Sequence, residues 1–317
     1  IIISLLLHLA AAIMLLRLLP RAPLVSTTQR IASAACASRR SVASAASSQE
    51  PVVLRSEHGA VTRLTLNRPR AYNSLNRAML DALLHELHTL DGDSRCRVIV
   101  LAGAGAAFCS GHDLKEMRDG RTGDSDSTSS GPDAAFVREI FTKCSQVMQQ
   151  LRSQRQVVVA RVAGVAAAAG MQLVGASDLA IAARGATFGT SGIRVGLFCS
   201  TPAVPLVRSL PRKACFELLA TGDLIDAQRA LELGVVNRVV EPEQLDAAVA
   251  ELADRIAAHS GAAMALGKRT FYRQLELPER EAYACATDAM VTNATHQDVA
   301  EGIDAFFAKR PPKWSDR

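Results

Sequence analysis

The sequence predicts an α/β fold. Two apolar stretches of strand length, residues 98–101 (V-I-V-L) and 157–162 (V-V-V-A-R-V), indicate buried strands. Between and beside them, residues 76–90 and 136–151 carry apolar side chains at helical spacing. Alternation of buried strands with amphipathic helices is typical of α/β proteins, in which helices cover the faces of a sheet. No repeat of fixed period is visible along the chain.

The first elements follow from local signals. Folded sequence is expected from about residue 51, and residues 52–55 and 61–66 alternate like two strands around a turn at His58–Gly59. Asn76 is suited to cap the helix that follows it. Residues 119–133 form a polar, low-complexity insert, which we expect to be mobile.

The second half of the chain changes from mixed elements to helices. Strand pieces are predicted at residues 179–183 and 187–188, with a turn at Arg184–Gly185. A short strand at residues 235–239 is expected to interrupt the helices that follow. Those helices are predicted over residues 212–220, 227–233, 243–259, 262–274 and 281–309.

The basic excess lies in one segment. The net charge is +5, yet the first 49 residues contain five arginines and no acid, which leaves 31 basic and 31 acidic residues beyond them. A neutral body argues against a nucleic-acid-binding protein. Seven cysteines without C-x-x-C spacing favour reduced thiols over a disulfide framework or a metal site, and we expect no metal.

Residues 1–49 are predicted to be a targeting segment, rich in Ala, Ser and Arg, as in organelle transit peptides. The apolar run at residues 1–16 leaves a secretory signal or a short anchor open, but it is shorter than the ~20 residues of a membrane-spanning helix. We therefore expect mitochondrial import to the matrix, and no stable membrane span in the mature chain.

Two short turns carry the functional signal. Residues 108–117 (F-C-S-G-H-D-L-K-E-M) and 166–173 (A-A-A-A-G-M-Q-L) are rich in small residues, and each opens an amphipathic segment. Such turns direct peptide N–H groups at a ligand oxygen. Two converging donors form an oxyanion hole, often the largest electrostatic contribution to catalysis in acyl chemistry.

Four motifs in order resemble the crotonase (enoyl-CoA hydratase/isomerase) family, across residues 52 to about 314. The two turns resemble its oxyanion loops, the second within V-A-G-V-A-A-A-A-G-M-Q-L-V-G-A-S-D-L-A-I-A at residues 162–182. R-P-R-A-Y-N-S-L-N at residues 68–76 resembles its loop over CoA, and A-F-F-A-K-R at residues 305–310 its C-terminal helix. The resemblance implies a ββα spiral at residues 50–240. It also implies a helical region at residues 241–317 that forms a homotrimer or hexamer.

The resemblance assigns the peptide N–H groups of His112 and Ala169 as the two donors to a thioester oxygen. It also exposes a difference, because Gln172 and Gly192 stand where the hydratases of the family carry their two catalytic glutamates. Hydration needs one group to take a proton from water and one to deliver a proton to carbon. A glutamine amide does not titrate near neutral pH and a glycine has no side chain.

Further residues match positions that approach CoA in the family. Arg70, Lys115 and Lys309 correspond to phosphate contacts, although each is equally well explained as a solvated surface charge. Phe306 fits an adenine contact, but helix packing is the simpler explanation. A CoA thioester would bind as a substrate or ligand, and no resident cofactor is expected.

Three candidate site residues keep a simpler explanation beside a catalytic one. The His112 side chain is expected to fill its turn, since only the peptide N–H is needed, and Asp113 to cap the following helix. Cys199 resembles a nucleophile but is better explained as a buried thiol without a partnered base. Other polar candidates at the rim of the site are Thr190, Ser191, Ser200 and Thr201.

Two functions therefore remain open. The first is a divergent enoyl-CoA hydratase-like enzyme of mitochondrial fatty-acid metabolism, whose hydratase activity is weak or lost. The second is a non-catalytic acyl-CoA-binding or regulatory protein. Titratable side chains within reach of the acyl α- and β-carbons would distinguish them.

Overall fold

The computed structural model of the protein describes residues 50–120 and 133–316. The predicted targeting segment, residues 1–49, lies outside these ranges, and so do residues 121–132, which are part of the predicted polar insert.

None of the helices in the described part of the chain has the length and apolar character that crossing a membrane requires. Nor do three or more His, Cys, Asp or Glu side chains converge there as a metal site would need.

Ten strands form two sheets in the described residues. They are β1 Val53–His58, β2 Val61–Leu66, β3 Val98–Gly103, β4 Ala107–Cys109, β5 Val157–Val162, β6 Val165–Ala167, β7 Leu179–Ala183, β8 Thr187–Gly189, β9 Leu224–Asp226 and β10 Arg238–Val240.

The larger sheet has six strands in the order β1-β2-β3-β5-β7-β10. The hairpin β1–β2 is antiparallel, with His58 paired to Val61 across a turn in which Gly59 has φ +61°. The remaining neighbours are parallel. A left-handed backbone at Gly59 is what a tight hairpin turn requires, so the predicted turn is confirmed.

A second sheet of four short strands, in the order β4-β6-β8-β9, makes the chain a spiral. Strands β3, β5 and β7 of the large sheet are each followed within a few residues by β4, β6 and β8 of the small one. The chain thus passes repeatedly from one sheet to the other and returns through a helix. This arrangement is the ββα spiral expected from the resemblance.

Eleven α-helices complete the described residues. They are α1 Arg77–Asp91, α2 Leu114–Asp119, α3 Ala134–Ser153, α4 Ala169–Ala176, α5 Ser200–Leu206, α6 Arg212–Thr221, α7 Ala227–Glu232, α8 Leu245–Ala257, α9 Gly261–Gln274, α10 Glu279–Ala294 and α11 Gln297–Phe307. Asn76 caps α1 as predicted, since its side chain accepts a hydrogen bond from Met79 N at 3.0 Å.

The sheet has a hydrophobic core on each face. Ile99 and Leu101 of β3 point into the larger core, which helices α1, α3 and α4 cover. Val98 and Val100, the alternate residues, point to a smaller core that α8 closes. Because successive side chains of a strand face opposite sides, a strand buried on both faces is apolar throughout, which explains why β3 was readable from the sequence.

The prediction of a single helix over residues 281–309 is wrong. The chain forms α10 and α11, separated at Thr295 and His296. The His296 side chain accepts from Asp298 N and so caps α11. Asp298 is buried and accepts from Ser260 and Ser315, which fixes the start of α11 against α9 and the C-terminal tail. Tertiary contacts therefore override the continuous helical periodicity.

Short elements were harder to predict. The strand expected at residues 235–239 lies at Arg238–Val240, because Val235 and Val236 are instead buried in the larger core. Strands β4, β6 and β9 have three residues each and were not predicted, and neither was α5, which contains Pro205. Elements of this length are specified by neighbouring strands rather than by their own periodicity.

A buried ion pair ties α9 to the sheet. Lys268 Nζ lies 2.7 Å from Asp178 Oδ2 and donates to the carbonyls of Leu151 and Gln156, both at 2.8 Å. Tyr272 donates its hydroxyl to the other oxygen of Asp178 at 2.8 Å. Every donor of the ammonium group is used. Asp178 lies two residues after the end of α4, so the network also holds the end of that helix.

Removing one partner of this network should be strongly destabilising. Lys268→Met leaves the Asp178 carboxylate buried without its counterion, and breaking a buried pair in this way costs roughly 3–5 kcal/mol. Urea denaturation followed by circular dichroism measures the change. Lys213→Met, a lysine exposed at the start of α6, is the control and should change stability little. Similar stabilities for the two variants would contradict this account.

Candidate active site

The two predicted oxyanion turns meet at one cavity of about 650 Å³. His112 and Ala169 both line it, together with apolar side chains that include Phe141, Val195 and Phe198. The cavity lies beside the amino end of α4, where backbone N–H groups have no partner within the helix. The residues assigned as donors from the sequence thus lie on one wall of the same space.

Backbone hydrogen bonds to the preceding loop hold the first turn. Ser110 N donates to Tyr72 O at 3.0 Å, Leu75 N donates to Gly111 O at 2.8 Å, and Asp113 N donates to Leu75 O at 3.1 Å. The peptide N–H of His112, between these bonds, donates to no group in the part of the chain that the structure describes. It is therefore available to a ligand.

Hydrogen bonds of Asn73 hold the loop of residues 68–76 in place. The buried Asn73 side chain donates to Ala104 O at 2.8 Å and to Ala107 O at 2.7 Å, and accepts from Arg68 N. Asn73 itself has φ +54°, a conformation that asparagine tolerates better than most residues. These contacts fix the loop of residues 68–76 onto the start of β4.

The second turn is strained at Ala168. This residue has φ +50° and ψ −116°, a conformation normally taken by glycine, and its N–H donates to Gly189 O at 2.8 Å. Ala169 is the first residue of α4, so its own N–H has no acceptor within the helix. Ala169 also lines the cavity, so this unpaired N–H lies at the cavity wall.

Close packing brings the two turns together. A Cβ added to Gly111 would lie 2.9 Å from Ala168 Cβ and 3.4 Å from Ala169 N, and one added to Gly170 would lie 2.0 Å from Cys109 O. Only glycine fits at these two positions. The turns are therefore in direct contact beside the cavity that His112 and Ala169 line.

The strain at Ala168 predicts a stabilising substitution. Ala168→Gly removes a Cβ from a left-handed residue, where strain of about 1–3 kcal/mol outweighs the roughly 0.4–1 kcal/mol that glycine costs in chain entropy. We expect a net gain of about 1 kcal/mol in the free energy of unfolding, measured by urea denaturation. Ala167→Gly, one residue earlier in β6, should destabilise instead. A loss of stability in Ala168→Gly would refute the strain argument.

Among residues 50–120 and 133–316, few titratable side chains line the cavity, and none of them is suited to proton transfer near neutral pH. Burial lowers the pKa of His112 to about 4, and the nearby Leu75 backbone raises it by a smaller amount. Burial raises the pKa of the Cys199 thiol, although a backbone contact with Gly192 opposes it. At pH 7 both groups are neutral, the imidazole is a weak base, and the thiol is a poor nucleophile.

Asp113, the one carboxylate on the cavity wall among the described residues, is already engaged. Its Oδ1 accepts from Lys115 N and Glu116 N as the cap of α2, as predicted. Its Oδ2 accepts from Arg68 at 2.8 Å. Burial tends to raise the pKa of Asp113, but the hydrogen bonds, led by that from Arg68, hold it below its usual value. A carboxylate so held is a poor proton acceptor.

Gln172 does not line the main cavity. It is buried within α4, where its Oε1 accepts from Cys144 Sγ at 3.9 Å. Its side chain borders a smaller cavity of about 270 Å³ instead, and Thr201 lines both cavities. The amide therefore sits behind the wall of the main cavity rather than at its surface.

Gly192 lines the main cavity, but its position is closed to larger side chains. A Cβ there would lie 2.5 Å from Leu197 O and 2.8 Å from Cys199 Sγ. The segment after Gly192 folds back onto it, with Leu197 N donating to Gly192 O at 3.0 Å. The backbone of residues 192–199 therefore leaves no room for a side chain at this position.

Three of the four remaining polar candidates line the cavity, and the fourth does not. Ser191, Ser200 and Thr201 line the cavity, whereas the Thr190 hydroxyl is buried and donates to Leu218 O at 2.8 Å. Apolar side chains dominate the rest of the wall. Phe141, on α3, was not predicted as a site residue, and its ring lies edge-on to His112 with centroids 4.9 Å apart. The two residues are far apart in the sequence, so no local pattern could predict this contact.

Two of the four predicted CoA contacts lie near the cavity, and the other two lie at the end of α11. Arg70, in the loop of residues 68–76, and Lys115, in the first turn of α2, are exposed near the cavity, and neither forms an ion pair within the described residues. Phe306 and Lys309 are exposed at the end of α11, and neither lines the main cavity. Phe306 borders a different groove of about 570 Å³, between α9, α11 and Trp314.

Comparisons with known proteins agree with this geometry. The enoyl-CoA hydratase/isomerase family profile matches residues 56–317. Mouse mitochondrial enoyl-CoA hydratase domain-containing protein 3 is 42% identical over 288 residues, covering 89% of this chain and 91% of the relative.

Two solved structures share the fold. An enoyl-CoA hydratase from Mycobacterium smegmatis has TM-score 0.77 and 45% identity, covering 84% of this chain and 99% of its own. Human enoyl-CoA hydratase domain-containing protein 3 has TM-score 0.77 and 38% identity, covering 83% of this chain and 100% of its own. With the sheet topology and the two paired turns, these matches establish that the chain belongs to the enoyl-CoA hydratase/isomerase family.

Proposed function

We propose that this protein binds an acyl- or enoyl-CoA thioester and is a divergent hydratase-like protein whose hydratase activity is weak or lost. The observation that carries this proposal is the contrast within one cavity. His112 and Ala169, whose peptide N–H groups have no acceptor among the described residues, both line it, yet those residues bring no free acid or base to the cavity. The thioester oxygen would accept from His112 N and Ala169 N, which polarises the carbonyl.

Polarisation alone does not complete hydration. Water must lose a proton as it adds to one carbon, and the adjacent carbon must gain one. Asp113 is held by Arg68 and by the start of α2, and Gln172 lies behind the wall. The hole can therefore hold and activate a thioester, while the proton transfers lack a suitable group.

The CoA phosphates would meet Arg70 and Lys115 at the mouth of the cavity. Replacing Arg70, Lys115 and Lys309 with glutamine should weaken binding of butyryl-CoA, and added salt should weaken it for the unmodified protein, because exposed charges are screened. Calorimetry measures both. A control with the same loss of charge at Arg184, Arg229 and Arg255 should bind as the unmodified protein does. Equal affinities of the two triple variants would count against the assignment.

The C-terminal helices support a homotrimer or a dimer of trimers. They expose large apolar side chains that a monomer would leave in water: Phe271, Leu275, Tyr283, Met290, Ile303, Phe306 and Phe307. In such an assembly, Phe306 and Lys309 would act on the ligand of a neighbouring subunit. Light scattering that gives a monomer mass would overturn this part of the proposal.

A purely binding or regulatory role is the second candidate function. The closure of position 192 by Leu197 and Cys199 favours it, because that backbone leaves no room for a catalytic side chain. Mass spectrometry of acyl-CoAs incubated with the protein distinguishes the two roles. Retention without conversion supports a binding protein, and a new acyl-CoA product supports an enzyme.

We also propose that the protein acts in mitochondrial fatty-acid metabolism. Its mammalian relatives are named as mitochondrial proteins, and the acid-free, arginine-containing first 49 residues support the same location. Fusing residues 1–49 to a fluorescent reporter tests it. Mitochondrial fluorescence is expected, and endoplasmic-reticulum fluorescence would refute the proposal.

A further inference from the structure

Residues 191–216, which run from the wall of the main cavity to α6, form a surface that is both basic and apolar. The sequence there contains four basic residues and neither aspartate nor glutamate. All four are exposed, and among the described residues Arg194 alone pairs with an acid: Arg194, Arg208, Arg212 and Lys213. Six large apolar side chains are exposed as well: Val195, Leu197, Phe198, Val204, Val207 and Phe216. Clustered exposed apolar side chains mark an interaction site, and we call this one the basic apolar surface.

Aromatic and basic side chains lie side by side on this surface. The ring centroids of Phe198 and Phe216 are 6.5 Å apart, which joins the cavity wall to α6. Arg212 and Lys213 precede Phe216 by four and three residues on α6, and residues at this spacing share a helix face. The two positive charges therefore stand beside the aromatic pair, where they are free to meet an anionic partner.

The main cavity reaches the outside at the same surface. Val195, Leu197 and Phe198 line the cavity, yet they are 64%, 39% and 40% exposed. A folded partner seated on these side chains would cover the opening of the cavity. A fluid lipid surface would surround them and leave an apolar path into the cavity. The position of the opening therefore favours a lipid partner over a protein partner.

We propose that the basic apolar surface docks on a bilayer that contains anionic phospholipids. Peripheral membrane surfaces combine basic residues, which attract anionic headgroups, with apolar side chains that enter the boundary between headgroups and acyl chains. Here Arg212 and Lys213 would contact the headgroups, and Phe198 and Phe216 would enter that boundary. This docking goes beyond the proposed function and does not depend on it. For a protein that also binds CoA thioesters, docking would place the cavity where long acyl chains partition.

Fluorescence quenching by vesicles of brominated phosphatidylcholine and phosphatidylglycerol tests the proposal on the full chain. Phe216→Trp places an indole on the surface, and the one native tryptophan, Trp314, is a background common to every variant. Bromine quenches an indole that reaches the acyl chains, so attachment through residues 1–49 alone would not quench it. Phe271→Trp, at an exposed phenylalanine of α9, is the matched control. We expect strong quenching of the first variant and only the background change in the second.

The basic side chains provide the second arm of the test. Adding Arg212→Gln and Lys213→Gln to Phe216→Trp should weaken vesicle binding about thirtyfold, because two positive charges near an anionic membrane are lost. The same loss of charge through Arg229→Gln and Arg255→Gln should leave binding unchanged. Brominated vesicles without phosphatidylglycerol should quench far less.

Three results would overturn the inference. The first is equal quenching of Phe216→Trp and Phe271→Trp. The second is vesicle binding that persists in full without the two basic side chains or without phosphatidylglycerol. The third is a smaller assembled mass of the Arg212→Gln, Lys213→Gln variant in light scattering, since the surface would then be an interface between copies of this chain. Binding of butyryl-CoA is measured separately, so each of these results leaves the proposed function standing.

Discussion

The purified protein should hydrate crotonyl-CoA at least about 10²–10⁴-fold more slowly than a hydratase that has both catalytic glutamates. A general acid or base contributes typically that factor, and the cavity has neither in a usable state. The fall of absorbance of the conjugated thioester on hydration measures the rate. A rate like that of an ordinary hydratase would contradict the account, and Asp113 and Cys199 would then be the first residues to replace.

Adding the carboxylates back should not restore the reaction. Gln172→Glu places its carboxyl beside Cys144, behind the cavity wall. Gly192→Glu forces a Cβ to within 2.5 Å of Leu197 O, so the segment up to Cys199 must move. We expect the double variant to gain little hydratase activity. A large gain would mean that the segment after Gly192 rearranges easily.

The second large effect is expected at the contact between the two turns. Gly170→Ala places a Cβ 2.0 Å from Cys109 O, and a backbone atom cannot yield as a flexible side chain can. Overpacking of this kind costs typically about 1–3 kcal/mol, and relief requires α4 to move away from the first turn. Both stability and butyryl-CoA binding should fall, as measured by urea denaturation and calorimetry.

Gly185→Ala is the matched control, because a Cβ at that turn meets no atom within 4 Å. It should leave both quantities nearly unchanged. If Gly170→Ala binds butyryl-CoA as tightly as the control does, the contact between the turns is not what forms the ligand site. If binding falls while stability holds, the displaced Ala169 N–H explains the loss.

Local chemistry explains which features could be predicted from the sequence. The β1–β2 hairpin depends on Gly59 and its neighbours, and the start of α1 on Asn76, so nearby residues determine both. The paired turns were readable because small residues at fixed spacing are needed for close approach. Strand β3 was readable because it is buried on both faces.

What escaped prediction depends on residues far apart in the chain. The break before α11 is fixed by Asp298 with Ser260, and the closed position of Gly192 by Leu197 folding back. The contact of His112 with Phe141 joins the first turn to α3, across the polar insert. No periodicity or motif records such contacts, since they arise only when the elements pack.

One spectrum tests the central claim, that the protein holds and polarises a CoA thioester without hydrating it. Crotonyl-CoA labelled with ¹³C at the carbonyl and β-carbons is mixed with excess protein and followed by ¹³C magnetic resonance. The carbonyl signal should move downfield as two N–H groups bind its oxygen, while the β-carbon stays olefinic. An unmoved carbonyl signal, or rapid appearance of an alcohol β-carbon, would contradict the account.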